Sequence, residues 1–228
     1  MSPFPNPSAS RVARLILAGG EGARLGGAIK ADLTIGGVRL IERVAAALTG
    51  AGPLLVSVGR HDADDMGLPP GAVALADPDG IRGPLAGLAA AVEWCRSVDA
   101  APEVIVTAAV DTPFLPSDFV AGMTEALGEF DGAIAAYGDQ AYPTNAAWRA
   151  RALMPLLDEE PEGLSQLGIK GLARRLRTRQ VDWPHLPGGD PFANLNTPED
   201  REILERRLAA GPGVSGVRYG VGKGSQTR

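Results

Sequence analysis

The sequence predicts an α/β protein with one domain, built on a mostly parallel, twisted sheet with helices on both faces. Short apolar runs of strand length alternate with segments of helical spacing along most of the chain. The run at 104–110 is apolar on both faces, which is typical of a strand in the middle of a parallel sheet. No linker or internal repeat divides the 228 residues. We therefore place one domain at 11–210 and expect disordered tails at 1–10 and 212–228.

The first half of the chain begins with a strand that leads into a glycine-rich loop. Leu40, Val44 and Leu48 recur at helical spacing and predict a helix that ends before Gly50. Pro84 opens a longer helix, at a position where its missing N–H does no harm. In order, the predicted elements are strand 15–18, a hairpin over 33–35 and 38–40, helix 40–48, strands 54–58 and 72–76, and helix 84–97.

In the second half the alternation continues and then becomes less regular. Thr197 and Pro198 are typical of a capped helix start, with the proline at the first helical position. In order, the predicted elements are strand 104–110, a helix from 117, strands 132–137 and 146–148, helices 149–157 and 164–176, strand 181–183, and helix 197–209.

Composition and charge exclude several classes of function. A net charge of −5 provides no basic field for nucleic acid, so no nucleic-acid partner is expected. Cys95 is the only cysteine, and it shares a helical face with Leu88 and Val92, which favours a core residue over a nucleophile. Residues before Arg11 lack the apolar segment of a secretory signal, and no segment has the length of a membrane span. A cytoplasmic location without membrane contact is therefore expected.

The glycine-rich stretch after the first strand contains the clearest functional pattern. Five glycines fall within 19–27, and glycine lets bare backbone N–H groups approach an anion. Arg24 and Lys30 follow the strand, and a polyphosphate suits both kinds of donor. Leu25 replaces the third glycine of a dinucleotide fingerprint, and Gly27 lacks the following Lys of a P-loop. The alternative interpretation is a glycine-rich turn with unrelated cations.

This stretch resembles the signature loop of the nucleotidyltransferases, Leu-Ala-Gly-Gly-x-x-x-Arg-x-Gly-x-x-Lys. The matching positions here are Leu17, Ala18, Gly19, Gly20, Arg24, Gly26 or Gly27, and Lys30. The resemblance implies a Rossmann-like nucleotidyltransferase fold, and it favours a nucleotide site over an ordinary turn.

Polar side chains end the other predicted parallel strands. In open parallel sheets, ligands bind at the carboxyl ends of the strands, which is where Ser57, Asp77 and Asp111 stand. Beside a nucleoside triphosphate, a carboxylate suits Mg²⁺ or a hydroxyl group. Aspartate is also common at the start of turns. From the residues alone, Asp111 is therefore equally well explained as a metal ligand or as a turn residue.

Three further motifs resemble the molybdenum cofactor guanylyltransferases. They are Gly-Pro-Leu-Ala-Gly at 83–87, Asp-Thr-Pro-Phe-Leu at 111–115 and Asn-Leu-Asn-Thr-Pro-Glu-Asp at 194–200. The resemblance implies a Mg²⁺-dependent enzyme that transfers GMP from GTP to the phosphate of molybdopterin and releases pyrophosphate. It also implies GTP and molybdopterin as small-molecule partners, with molybdenum-insertion and acceptor proteins as further partners.

The same resemblance implies a role for each matching residue. It assigns nucleotide binding to Leu17, Ala18, Gly19, Gly20, Lys30, Ser57, Asp77 and Asp111; catalysis to Lys30, Arg24 and Asp111; Mg²⁺ to Asp111; and the acceptor to Asn194 and Asn196. Ser57 departs from the family, which often has Asn there. The cations from Lys170 to Arg175 are interpreted as an exposed helix face. Gly19 allows close approach to guanine, so a methyl group there is expected to weaken the preference for GTP over CTP.

Two alternatives stay open at this point. One is another nucleotidyltransferase, which passes CMP or UMP to a sugar phosphate or to a related cofactor. The other is a non-catalytic nucleotide-binding regulator, which the presence of both Lys30 and Asp111 disfavours. No general base is expected in the transferase, because a phosphate monoester is already ionised at neutral pH.

Overall fold

A seven-stranded sheet forms the centre of the protein. The computed structural model describes residues 12–22, 28–158, 161–183 and 188–211. The strands are β1 (Val12–Leu17), β2 (Glu21–Gly22), β3 (Ala28–Ile29), β4 (Thr34–Ile35), β5 (Val38–Arg39), β6 (Leu54–Gly59), β7 (Val73–Ala76), β8 (Val104–Ala109), β9 (Gly132–Tyr137), β10 (Gln140–Arg149) and β11 (Thr178–Asp182). The helices are α1 (Leu40–Ala47), α2 (Ala63–Met66), α3 (Pro84–Ser97), α4 (Phe119–Leu127), α5 (Ala150–Leu157), α6 (Pro161–Arg175) and α7 (Pro198–Ala209), with a 3₁₀ helix at Lys30–Asp32. The tails predicted at 1–10 and 212–228 lie outside the described residues.

The strands run across the sheet in the order β11-β9-β10-β8-β1-β6-β7. β8, β1, β6 and β7 pair in parallel, as do β11 and β9, whereas β10 is antiparallel to both of its neighbours. The predicted mostly parallel sheet is therefore confirmed, and β8 lies in its middle. As a result, the carboxyl ends of β1, β6, β7 and β8 meet at one edge of the sheet.

Helices cover both faces of this sheet, as predicted. Along β8, Val104 and Val106 pack into the core that includes residues of α1, α4 and α7. The intervening Ile105 packs into the opposite core, with residues of α3, α5 and α6. This alternation is the period of two that a strand buried on both faces requires.

β10 is the main difference from the sequence prediction, which placed a strand only at 146–148. The observed strand is ten residues long and carries an irregularity in its pairing between Tyr142 and Ala146. Pro143 falls inside this irregular part, and proline cannot donate to a strand ladder. The shift in pairing register at this point accommodates a residue that cannot donate to the ladder, as a β-bulge does.

The helices agree closely with their predicted positions. Thr197 and Asp200 form a capping box at the start of α7, which confirms the predicted cap. α6 begins three residues before the predicted 164–176 helix and ends one residue before its end, and it is interrupted at Gly168, where φ is 60°. None of the described helices is long and apolar enough to cross a membrane.

Cys95 is fully buried on α3, so its interpretation as a core residue is confirmed. Burial raises the pKa of its thiol from 9.0 to about 11, because the thiolate would lose its hydration. The thiol is therefore protonated and unreactive in the folded protein.

We expect the stability of the wild-type protein, relative to Cys95→Ala, to fall as pH rises from 9.0 to about 11. Over this range of pH the unfolded thiol loses its proton while the buried thiol, with the raised pKa, keeps it. Rising pH then favours unfolding, whereas below the unfolded pKa the thiol's contribution is constant. Urea unfolding of both proteins on either side of this range measures the effect. A difference in unfolding free energy that does not change with pH would contradict it.

Candidate functional site

A cavity of about 270 Å³ opens at the carboxyl edge of β1, β6, β7 and β8. It is lined by Leu17, Gly19, Gly20, Lys30, Ser57, Asp77, Gly83, Pro84, Ala109, Val110, Asp111, Thr144 and Asn194. The ends of the four parallel strands and the loops after β1, β7 and β8 supply most of this lining, and Thr144 comes from the irregular part of β10. The fold therefore brings most of the residues selected from the sequence into one cavity.

Lys30 connects two other parts of this site. Its Nζ lies 2.6 Å from Oδ2 of Asp111, and it also donates a hydrogen bond to Oδ1 of Asn196. The Lys30 and Asp111 side chains are only 15% and 13% exposed, so water screens their attraction less than at an open surface. These three residues come from the 3₁₀ helix, the exit of β8 and the segment before α7.

The position of Asp111 is fixed by its backbone. Its carbonyl oxygen accepts a hydrogen bond from the N–H of Leu195 at 2.9 Å. The turn after β8 is closed by Thr112, whose Oγ1 donates to the carbonyl oxygen of Ala109 at 2.6 Å. The Asp111 carboxylate is therefore directed at Lys30 in the cavity, while a different side chain stabilises the turn.

The oxygens of Asp111 and Asn196 fit a divalent cation. No group of three His, Cys, Asp or Glu side chains suited to a metal occurs among the described residues, so this part of the chain offers no all-protein cage. Mg²⁺ does not require one, because it usually binds through one or two carboxylates together with substrate phosphates and water. Both oxygens already contact one cation, the Lys30 ammonium group. They are the residues of this site best suited to hold Mg²⁺.

Ser57 and Asp77 form a hydrogen-bonded pair in the cavity wall. Ser57 is 4% exposed, and its Oγ donates to Oδ1 of Asp77 at 3.0 Å. Burial raises the pKa of Asp77 above its ordinary value of 3.8, and the Ser57 hydrogen bond and the charge of Arg60 partly oppose this. A methyl group at Gly87 would lie 2.5 Å from the Ser57 Oγ. Glycine at position 87 therefore lets α3 pack directly against Ser57. The Ser57 hydrogen bond in turn holds the Asp77 carboxylate in place.

Gly19 is required by a close approach of two backbone segments. A Cβ at position 19 would lie 2.7 Å from the Cα of Gly59 and 2.8 Å from its nitrogen. Such a collision involves main-chain atoms, which cannot rotate away. The sequence suggested that glycine here makes room for guanine. The structure gives it a further role, because the loop after β1 packs on the end of β6.

Gly19→Ala is expected to lower the free energy of unfolding by about 1–3 kcal/mol, the usual cost of forcing an extra methyl group into a packed site. Gly20→Ala is the matched control, because its Cβ would meet only the Lys30 Cδ, at an ordinary 3.8 Å. Urea unfolding of both variants measures the difference. Equal stabilities would show that the Gly59 backbone adjusts without cost.

Three predicted features among the described residues lie apart from the cavity lining. Ala18 is buried in the core, and its N–H donates to the carbonyl oxygen of Ser57 at 3.0 Å. Arg24 lies outside the described residues. The Lys170 and Arg174–Arg175 cations are exposed on α6 and do not line the cavity. Asn196 is not in the lining either, and it meets the site through Lys30.

Sequence reasoning missed Thr144. The strand predicted at 146–148 began too late to bring this residue to the sheet edge. A proline within a run of otherwise strand-like residues was the available signal, since Pro143 indicates a bulge.

Comparisons with known proteins agree with this geometry. The family described as MobA-like NTP transferase domain matches residues 14–181. Molybdenum cofactor guanylyltransferase of Rhodobacter capsulatus is 37% identical over 201 residues, which cover 87% of this chain and 97% of that protein. The protein of the same name from Bradyrhizobium sp. (strain ORS 278) is 34% identical and covers 86% of this chain and 92% of its own length.

Solved structures support the same fold. The structure of molybdopterin-guanine dinucleotide biosynthesis protein A from Archaeoglobus fulgidus superposes with a TM-score of 0.68. It covers 87% of this chain and 99% of its own, at 23% sequence identity. At that identity the likeness supports the fold alone.

Proposed function

The chain belongs to the MobA-like NTP transferase family, and we propose that it acts as a molybdenum cofactor guanylyltransferase. Family membership makes it a nucleotidyltransferase. The names of relatives that are 34% and 37% identical support GTP as donor and a molybdopterin phosphate as acceptor. The observation that carries the proposal is the contact of Lys30 with Asp111 and Asn196. This contact lies beside the glycine-rich loop, at the edge where parallel sheets bind ligands.

The reaction needs alignment and charge neutralisation more than covalent help. An oxygen of the acceptor phosphate attacks the α-phosphorus of GTP in line, and the bond to pyrophosphate breaks as the new P–O bond forms. Two polyanions must meet for this to happen, so positive charge and fixed N–H donors are the main requirement. No side chain has to accept a proton, because the attacking phosphate is already ionised.

Asp111 and Asn196 would hold Mg²⁺, which supplies positive charge against the phosphates of both substrates. Lys30 occupies these oxygens in the structure, with its Nζ 2.6 Å from Asp111. When a polyphosphate enters, Lys30 would exchange these two contacts for phosphate oxygens. The exchange leaves Asp111 and Asn196 available to the metal, so that each negative group keeps a positive partner.

Asp77 is the side chain best suited to select guanine. Guanine presents two adjacent donors, the ring N1–H and the exocyclic amine, which one carboxylate can accept together. Cytosine presents only its exocyclic amine. Ser57 holds the Asp77 carboxylate at 3.0 Å, and the backbone from Leu17 to Gly19 lies at the same cavity. This pair therefore supports a preference for guanine without a Ser57 contact to the base.

A panel of GTP, CTP, UTP and ATP, each with Mg²⁺, tests the nucleotide by thermal shift. A ligand at 100 times its Kd stabilises the folded protein by about 2.7 kcal/mol, so a tightly bound nucleotide is readily detected. We expect the largest shift with GTP. The largest shift with CTP would instead support a cytidylyltransferase.

The acceptor is tested by product formation. Protein incubated with GTP, Mg²⁺ and molybdopterin should produce the pterin–guanine dinucleotide and pyrophosphate. Turnover of a sugar phosphate in place of molybdopterin would contradict the proposed acceptor and would still support a nucleotidyltransferase. Nucleotide binding without release of pyrophosphate, whatever the acceptor, would support a non-catalytic regulator.

A further inference from the structure

The segment 188–197 carries both candidate acceptor residues. Asn194 lines the cavity, and its Oδ1 is buried without a hydrogen-bond partner among the described residues. Asn196 accepts a hydrogen bond from Lys30. The side-chain amides of Asn194 and Asn196 both belong to this irregular segment. The contacts that anchor the segment therefore determine the positions of both amides.

Hydrogen bonds hold the rear and the middle of the segment. The N–H groups of Asn196 and Thr197 both donate to Oδ2 of Asp200 at 2.9 Å. The N–H of Leu195 donates to the carbonyl oxygen of Asp111 at 2.9 Å. These bonds tie the segment to α7, which follows it in the chain, and to the exit of β8.

Asp190 anchors the front of the segment. Its Oδ1 accepts the N–H of Phe192 at 2.8 Å, and its Oδ2 accepts the hydroxyl of Tyr142. Its carbonyl oxygen accepts a hydrogen bond from Arg207 of α7. Of these partners, Tyr142 is the one that belongs to the central sheet, on β10. The Tyr142 hydroxyl therefore ties the front of the segment to the sheet, as the Leu195 N–H ties its middle.

Packing supports the Tyr142 contact. The Tyr142 ring lies 5.2 Å from the ring of Phe192, which is fully buried and also packs against Phe119 and Trp183. Burial and the neighbouring Asp190 carboxylate raise the pKa of Tyr142 above its ordinary value of 10.0. The hydroxyl is thus a donor at any pH at which the enzyme would work.

Topology assigns this segment to the acceptor side of the cavity. Ser57 lies on β6 and Asp77 follows β7, on one side of β8 and β1. Tyr142 and Thr144 belong to β10, on the other side of β8, and Thr144 lines the cavity there. A nucleoside held by Ser57 and Asp77, as proposed above, would therefore lie on the opposite side of Asp111 from Thr144 and β10.

We propose that Tyr142 and Asp190 are positioning residues, whose hydrogen bond holds Asn194 and Asn196 where they bind the phosphate of the acceptor. The proposal rests on the function proposed above. It predicts that acceptor affinity depends on this bond and that nucleotide affinity does not. When the binding-competent position is only partly populated, the apparent affinity falls by that fraction.

Tyr142→Phe tests the proposal, because it removes the hydroxyl and keeps the ring among its aromatic neighbours. We expect the KM for molybdopterin to rise about ten- to a hundred-fold, the range for losing a hydrogen bond to a charged group, with the Kd for GTP nearly unchanged. Amide hydrogen exchange at 195–197 should become faster while exchange in β8 stays the same. Asp190→Asn can keep Oδ1 for the Phe192 N–H and donate its amide N–H to the Tyr142 oxygen, so its KM for molybdopterin should stay near the wild-type value. Thr124→Val, which removes a hydroxyl bonded to the Val120 carbonyl on α4, is the matched control.

The exchange measurement tests the anchoring role of the hydrogen bond, and the acceptor KM tests its link to the acceptor. Unchanged exchange at 195–197 in Tyr142→Phe would overturn the anchoring role, whether or not the enzyme accepts molybdopterin. Faster exchange with an unchanged acceptor KM would overturn the link to the acceptor, as would wild-type protein that turns over no pterin. If Tyr142→Phe does not fold, Asp190→Ser removes the same bond from the other side and leaves the aromatic rings intact. The same readouts then apply to that variant.

Discussion

Asp111→Asn should lower kcat/KM by about a thousand-fold, because a metal contact to the reacting phosphates is worth several kcal/mol. Asparagine keeps the shape of the side chain and one oxygen that can accept the Lys30 hydrogen bond, but it removes the negative charge. The backbone contact from Leu195 to the Asp111 carbonyl does not involve the side chain, so the fold is expected to persist. Steady-state release of pyrophosphate and the melting temperature are the two measurements.

Asp158→Asn is a suitable control for Asp111→Asn. Asp158 is 61% exposed and pairs with Arg96 at 2.9 Å, away from the cavity, so its loss should leave turnover unchanged. Near wild-type turnover in Asp111→Asn would show that the carboxylate is not a metal ligand. If Asp111→Asn does not fold, Asp111 is better explained as a residue that stabilises the turn.

Most of the sheet could be predicted because its strands are apolar runs with clear ends. β8 is the clearest case. Val104 and Val106 pack into one core and Ile105 into the other, so the strand appears in the sequence as a continuous apolar run. β10 could not be predicted in full, because its first half contains Pro143 and side chains that are only partly buried. The hairpin with β9 stabilises those residues, and its two-residue Gly138-Asp139 turn was a local signal that the strand prediction did not use.

The site was predictable to the same degree as the strands that support it. Ser57 lies near the end of a parallel strand and Asp77 and Asp111 follow two others, so a shared edge could be inferred before any coordinates. The contact of Lys30 with Asn196 joins residues 166 positions apart, and it depends on the irregular path of 188–197. The packing of Gly19 on Gly59 is likewise tertiary, and a glycine in a loop does not by itself show which neighbour requires it.

Lys30→Met should lower turnover about as strongly as Asp111→Asn does. Unlike Asp111→Asn, it should strengthen the binding of a divalent cation. Methionine keeps an unbranched apolar side chain but has no ammonium group, so the phosphates lose a charged donor and kcat/KM should fall by about 10²–10³. In the structure the Lys30 ammonium group contacts the Asp111 and Asn196 oxygens. A divalent cation would have to displace it there, so wild-type protein should bind Mn²⁺ weakly without nucleotide.

Removing Lys30 should therefore raise the affinity of the nucleotide-free protein for Mn²⁺, which titration calorimetry or electron paramagnetic resonance measures without any turnover. Lys30→Arg is the matched control, because it keeps a cation at Asp111 and should leave Mn²⁺ binding weak. The double variant with Asp111→Asn should lose the gained affinity, because the carboxylate that would hold the metal is gone. If Lys30→Met binds Mn²⁺ no better than the wild type, then Lys30 does not compete for the metal position. The proposal that Lys30 moves from Asp111 to the phosphates would then be wrong.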